Sequence, residues 1–284
     1  MAAQDYREDL RISPEILTHL IEAYRKIRNT SRFLLSNLYD FDPTYFRVSY
    51  EDLPELDRWA LLRLGQLIQK VTRAYEDFEF HAIFHAINNF CLVDMSAIYL
   101  DILKDRLYTF RKDSHARLSS QTVLFDVAVA FTKLMASILS FTSEEIWQKL
   151  PKVVRMNPNG QSVHLSSFPE VDPRWNDAGL DSRWNRLLEV RVAAQAALEE
   201  QRREKVIGSS LEAGIQIQAN PEKFGLLKQY EEVLSSVLIV SQVELKEVHN
   251  LPLQPDFRVL VFKAKGNKCE RCWNYREAVG KDRE

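Results

Sequence analysis

The chain has 284 residues, 45% of them apolar and 27% charged, with a formal net charge of -2. That length and apolar share support one large core plus a smaller satellite domain and exclude a disordered chain. The near balance of charge gives no global sign of nucleic-acid affinity, so any such role has to rest on local patches.

The eight glycines form no Gly-rich phosphate loop, and three cysteines are too few for a disulfide framework. No apolar run reaches the roughly 18 residues that a membrane span needs, and no signal-peptide pattern opens the chain. A cytoplasmic protein without a membrane partner is expected.

Residues 1–12 are charged and open without a helix cap, which predicts a junction to a preceding domain. Arg11 stands just before the first helix. Ser13 and Pro14 form a good helix start, a capping hydroxyl followed by a ring whose missing N–H costs nothing at the first position. The predicted helix carries an apolar stripe of Leu17, Leu20, Ile21, Tyr24, Ile27, Leu34, Leu35 and Leu38, and Pro43 is expected to end the element. Arg25, Arg28 and Arg32, spaced three and four apart, share its other face. A second helix is expected from about Asp52 to Phe78, with Leu56, Ala60, Leu64, Leu67, Val71, Tyr75 and Phe78 as its buried line.

The organising stretch is 80–150. Its first half is apolar around most of the helical circumference, as a helix enclosed by others must be. The second half, from Ser119, repeats the pattern through Val123, Val127, Phe131, Leu134, Ile138 and Ile146. The two halves are expected to pack as an antiparallel hairpin, and with the earlier helices they make a four-helix bundle over 13–150.

Residues 151–175 turn to Pro, Asn, Gly and Ser, with one short candidate strand at 163–165, so 151–208 reads as a connecting segment leading into a fifth helix. That helix, about 181–205, should end at Gly208. Short alternating runs at 211–218, 237–240, 243–248 and 258–262, with one helical piece at 221–234, predict a small α/β subdomain over 209–264. The fold class expected is therefore mainly α, a helical bundle followed by a small α/β subdomain and a tip over 265–284.

Cys269 and Cys272 form a C-x2-C knuckle, whose spacing lets two thiolates bind one tetrahedral metal ion, usually zinc. No second pair follows, and Cys91 falls in the expected core, so the chain holds half a site at most. Trp273 follows directly, with Tyr275 and Arg276 close by. An aromatic ring and an arginine beside a metal knuckle can stack on an unpaired base, and a ring packed on its own turn is the alternative. The arginine face on the first helix is equally open, either a phosphate track or a solvated side. His81 and His85 lie four apart but lack an H-E-x-x-H arrangement and read as structural. Asp94 and Asp101 are expected to pair with Lys104 or Arg106. No nucleophile, base and orienting group stand at a recognisable spacing.

Six segments then carry a resemblance: AYRKIRNTSRFLLSNLYDFDP, LDRWALLRL, NFCLVDMSAIYLDILKDRLY, ILSFTSEEIW, REKVIGSSLEA and KCERCWNYREAVG. Together, and in this order, they resemble the C-terminal third of the bacterial isoleucyl-tRNA synthetase family, and DYREDLRIS resembles the junction that follows its catalytic domain. The resemblance implies that 13–150 is the helical anticodon-binding bundle of a class I synthetase and that 265–284 begins a zinc-binding tip. That tip has two C-x2-C pairs in the family, of which Cys269 and Cys272 match the first. Trp273 and Arg276 would contact the anticodon region, with Arg11, Arg25, Arg28 and Arg32 along the tRNA. The implied partners are isoleucine tRNA and the catalytic and editing domains of the same protein, and the implied state is a monomer. ATP and Mg would serve only the parent enzyme, because signatures resembling HIGH and KMSKS are missing and this piece alone should be inactive. Ser137 stands where relatives usually have proline, so the helix there should be less kinked. A helical interaction module, or a small zinc protein without an RNA role, is the alternative function.

Overall fold

A computed structural model of the chain describes residues 2–9, 12–156, 158–251 and 255–281. Arg11 lies outside the described residues. The chain divides into two compact units, Met1–Asp177 and Ala178–Glu284.

The first unit is a helical bundle. Helix α1 (Pro14–Ser36) starts as its sequence predicts, with Ser13 Oγ accepting from the Ile16 N–H at 3.3 Å. It stops well before Pro43: the Asn37 side chain donates to Phe33 O at 2.9 Å, and Leu38 and Phe41 turn inward. Its buried stripe is Ala23, Ile27, Thr30, Ser31 and Leu34, whereas Leu17, Ile21 and Tyr24 of the expected stripe are exposed. The short α2 (Pro43–Phe46) leads to α3 (Glu55–Glu76), whose core line runs from Leu56 to Val71 as expected. Phe78 departs from that line. It follows the helix end in a left-handed conformation (φ +57°) and is exposed.

The central helix runs unbroken over Phe80–Thr109. It comprises α4 (Phe80–Asn89), a π-helical stretch (Phe90–Tyr99) and α5 (Leu100–Thr109). By length and composition this 30-residue helix could cross a membrane, contrary to the expectation that no run is long and apolar enough. Its apolar side chains are instead the core of the unit: Ile83, Phe90, Met95, Tyr99 and Leu103 are buried. Asp94 pairs with Arg63 at 2.8 Å rather than with Lys104 or Arg106, while Asp101 does pair with Lys104. Arg106 is taken by Asp57, which also accepts from the Tyr99 hydroxyl at 2.5 Å.

Helix α6 (His115–Met135) packs beside α5 and buries several hydroxyls, of which those of Ser120, Thr122 and Thr132 donate to carbonyls one turn back, as from Thr122 to Leu118 O at 2.9 Å, while that of Ser119 has no partner among the described residues. The chain then leaves the helix over 136–139 before α7 (Ser140–Trp147). The break is present with serine at position 137, contrary to the expectation of a straighter helix. It is held locally, by Leu139 N–H donating to Met135 O and Ser143 N–H to Leu139 O, both at 2.8 Å. The Pro- and Ser-rich segment after α7 packs within this unit. Trp147 donates to Gly160 O at 2.7 Å, and Glu144 accepts from Ser162 and Val163. The expected strand at 163–165 is a 3-10 turn, because Ser162 and Ser166 satisfy its backbone locally and leave no ladder to form.

The second unit opens with α8 (Ala178–Arg203), whose end is set by Lys205 in the left-handed region (φ +59°) rather than by Gly208. Strand β1 (Ala213–Ala219) alternates Ile215 and Ile217 into the core. Helices α9 (Pro221–Gln229) and α10 (Glu231–Leu238), interrupted at Tyr230 where one helix was expected, cross over to a parallel β2 (Gln242–Glu247). The run at 237–240 is not a strand. Leu234, Val237 and Leu238 are buried at helical spacing, and Ile239 ends α10 in a left-handed conformation. Strand β3 (Phe257–Lys263) pairs antiparallel with β1, giving the order β2-β1-β3. Strands β4 (Asn267–Lys268) and β5 (Tyr275–Arg276) close a small hairpin. The mainly helical fold with a small α/β portion is as the sequence predicts.

Candidate nucleic-acid interface

Helical spacing puts Arg25, Arg28 and Arg32 of α1 on one exposed face, opposite the buried Ala23, Ile27 and Leu34. The three guanidinium groups are not equivalent. Arg28 donates to both oxygens of Glu145, at 3.1 and 3.2 Å, which raises its pKa and neutralises much of its charge. Tyr24 steadies that pair, its hydroxyl lying 3.0 Å from Thr142 and 3.5 Å from Arg28. Arg25 and Arg32 have no ion-pair or hydrogen-bonding partner among the described residues. The phosphate-sized positive charge on this face therefore belongs to those two residues, and sequence spacing could not foresee Glu145, which lies 117 positions away.

Cys269, Cys272, Trp273 and Arg276 come together in the second unit. Strands β4 and β5 hold a turn in which Cys269 N–H donates to Asn274 O and Trp273 N–H donates to Cys269 O, each at 2.9 Å. Gly266 has φ +94°, and a Cβ there would meet the Arg276 carbonyl carbon at 2.3 Å, so only glycine lets the strands approach. Trp273 adopts φ +64° and is 60% exposed. Lys268 Nζ, which the sequence reading did not single out, sits 5.1 Å from the ring centroid and leaves the remaining surface to solvent. A basic residue directly before the knuckle was the available signal.

Backbone N–H groups of Cys272 and Arg271 directed at the Cys269 sulfur, then the Cys272 thiol, hold the Cys269 thiol below its ordinary pKa, with a smaller contribution from Arg276. Two thiols on a turn lined by amide donors fit one half of a tetrahedral thiolate site. No group of three or more metal-ligating side chains exists among the described residues, so the chain does not close such a site from them. His81 and His85 belong to no such group. His81 faces Asp5 at 3.9 Å, and the His85 ring lies edge-on to Phe84.

An exposed two-arginine track on a rigid helix, and an exposed indole beside a lysine, are elements that bind phosphate and stack on a base. Residues 57–218 match the family model described as anticodon-binding domain of tRNA ligase. The chain belongs to that family, the anticodon-binding domains of tRNA ligases. It is similar along its whole length to curated proteins named isoleucine–tRNA ligase. Identity is 48% to the Geobacter sulfurreducens protein, covering 100% of this chain and 31% of the relative. It is 47% to the Desulfitobacterium hafniense protein, again over 100% of the chain and 31% of the relative. The Syntrophotalea carbinolica protein is 49% identical over 99% of the chain and 30% of its own length. The chain thus spans about a third of the length of these relatives.

Proposed function

We propose that this chain is the tRNA-recognising part of an isoleucine–tRNA ligase, and that it supplies affinity and identity to a reaction carried out elsewhere in the protein. The observation that carries this reading is similarity over 99 to 100% of the chain to isoleucine–tRNA ligases at 47 to 49% identity. The whole enzyme would join isoleucine to its tRNA at the expense of ATP, with Mg. This chain would bind, as a monomeric part of a cytoplasmic protein. Arg25 and Arg32 would hold phosphates and fix the position of the RNA, while Trp273, with Lys268 and Arg276 beside it, would stack on an unpaired base. Arg11 belongs to the same proposed track. Cys269 and Cys272 would supply two of four zinc ligands, the others coming from outside the described residues. Zinc there would brace the turn that presents Trp273. A chain that bound a full equivalent of zinc tightly by itself would contradict the half site.

The phosphate track is tested by the salt dependence of tRNA binding. Each arginine that contacts a phosphate adds about one to the slope of log K against log salt. Arg25→Gln and Arg32→Gln should each lower the slope by about that amount, and Arg28→Gln, whose charge Glu145 already meets, by less. Three unchanged slopes would remove α1 from the interface.

A further inference from the structure

A cleft of about 730 Å³ in the helical unit is lined by α3, α6 and α7 and by the segment 153–175. Much of its lining is apolar: Ile68, Phe125 and Ala130 are buried, and Val129 of α6 and Val154 of the segment are half-buried. The segment is tied down at several points. Trp147 donates to Gly160 O at 2.7 Å, Arg155 donates to the carbonyls of Trp147 and Leu150 at 3.0 Å each, and Glu144 holds Ser162 and Val163. Gly160 is needed for this close approach, since a Cβ there would meet Val154 O at 2.1 Å. Further along, Trp175 packs over Gly65 of α3, where a Cβ would lie 3.6 Å from its ring. The cleft is therefore preformed, and its volume falls in the range of about 300 to 1,000 Å³ that small-molecule sites occupy.

Asp126 and Lys133, two turns apart on one face of α6, both line this cleft. Asp126 is taken, accepting from Arg47 at 2.7 Å. Lys133 is not. Its ammonium lies 5.9 Å from the centroid of the Trp147 ring and has no hydrogen bond or ion pair among the described residues. Burial drives its pKa below the ordinary lysine value, and Glu170, exposed on the lining segment, offsets only part of that. A half-buried cation short of a counter-charge attracts an anion, and the apolar lining with its two tryptophans favours a flat apolar body attached to that anion.

We propose that this cleft binds a small monocarboxylate with a flat apolar body, the carboxylate held by Lys133 and the body lying among Val129, Val154 and the Trp147 ring. Because the lining includes no residue of α1 and none of the β4–β5 tip, the site stands apart from the proposed RNA contacts. A preformed cleft spares the ligand the cost of ordering its walls.

The probe is naphthoate, titrated into the full isotope-labelled chain beside the neutral naphthamide, with the indole N–H signals of Trp147 and Trp175 as the readout. Naphthoate should bind saturably and shift those two signals, and naphthamide should bind about tenfold more weakly. Lys133→Met keeps the apolar stem and removes the charge, and should bring naphthoate down to the affinity of the amide. Lys133→Arg should retain most of the binding. The indole signal of Trp59, buried in the core, reports the fold of each variant. Naphthoate that fails to saturate, that binds the parent and Lys133→Met alike, or that shifts only other tryptophans would overturn the proposal.

Discussion

Asp40 shows how the partners of one side chain set its charge. Burial pushes its carboxyl upward, but the hydrogen bonds from Arg117 and Gln121 outweigh that and hold it below the ordinary carboxylate range. A carboxyl that titrates lower in the folded chain than in the unfolded one stabilises the fold above its unfolded pKa of about 4. That contribution is lost as the pH falls through the lower, folded value. Asp40→Asn should therefore cost about 1 to 2 kcal/mol at neutral pH, read from urea unfolding. The gap between variant and parent should close as the medium is taken below pH 4. A gap independent of pH would mean that the carboxylate charge does not matter to these bonds. Asp57 carries a different balance. Burial is its largest influence and drives its carboxyl up, against the pull of Arg106 and then Tyr99. It is a core strut whose partners lie 42 and 49 positions away. No local pattern announces such pairs, and for that reason the sequence reading matched Asp94 and Arg106 with the wrong partners.

At the scale of elements, long amphipathic helices were legible and their interruptions were not. The line from Leu56 to Val71 and the enclosed helix after Phe80 follow from apolar spacing alone. The π-helical stretch at Phe90–Tyr99 does not. Its buried residues recur every four to five positions, close enough to the α spacing to be indistinguishable in a sequence apolar on all sides. The run at 237–240 failed for a related reason, since a short apolar run fits a helix end as well as a strand. The tip hairpin was legible as a knuckle, but not the exposure of its indole, since neither the left-handed backbone of Trp273 nor the lysine against its ring is written in the C-x2-C spacing. Gly266 holds that hairpin closed. Gly266→Ala would place a side chain against the Arg276 backbone in a conformation that costs about 1 to 3 kcal/mol. Amide exchange at Cys269 and Trp273 should quicken relative to β1. Unchanged exchange would show that the strands can part by about an ångström without losing the turn.

Across the whole molecule, the formal charge of -2 says nothing of where the charged residues stand. Each unit has its own exposed cationic residues, Arg25 and Arg32 of α1 in one and Lys268 and Arg276 beside the exposed Trp273 in the other. RNA binding on such surfaces depends on placement more than on net charge, so composition gave no warning of it and the six-segment resemblance did. Function at this scale is recognition, and its rivals, a protein-interaction module or a free-standing zinc protein, predict no discrimination between RNAs. The central measurement is binding of the chain to isoleucine tRNA and to a non-cognate tRNA across a salt series, with zinc content recorded on the same sample. Tighter, steeply salt-sensitive binding to isoleucine tRNA is the expected result. Equal and weak binding to both, with a flat salt dependence, would contradict the account.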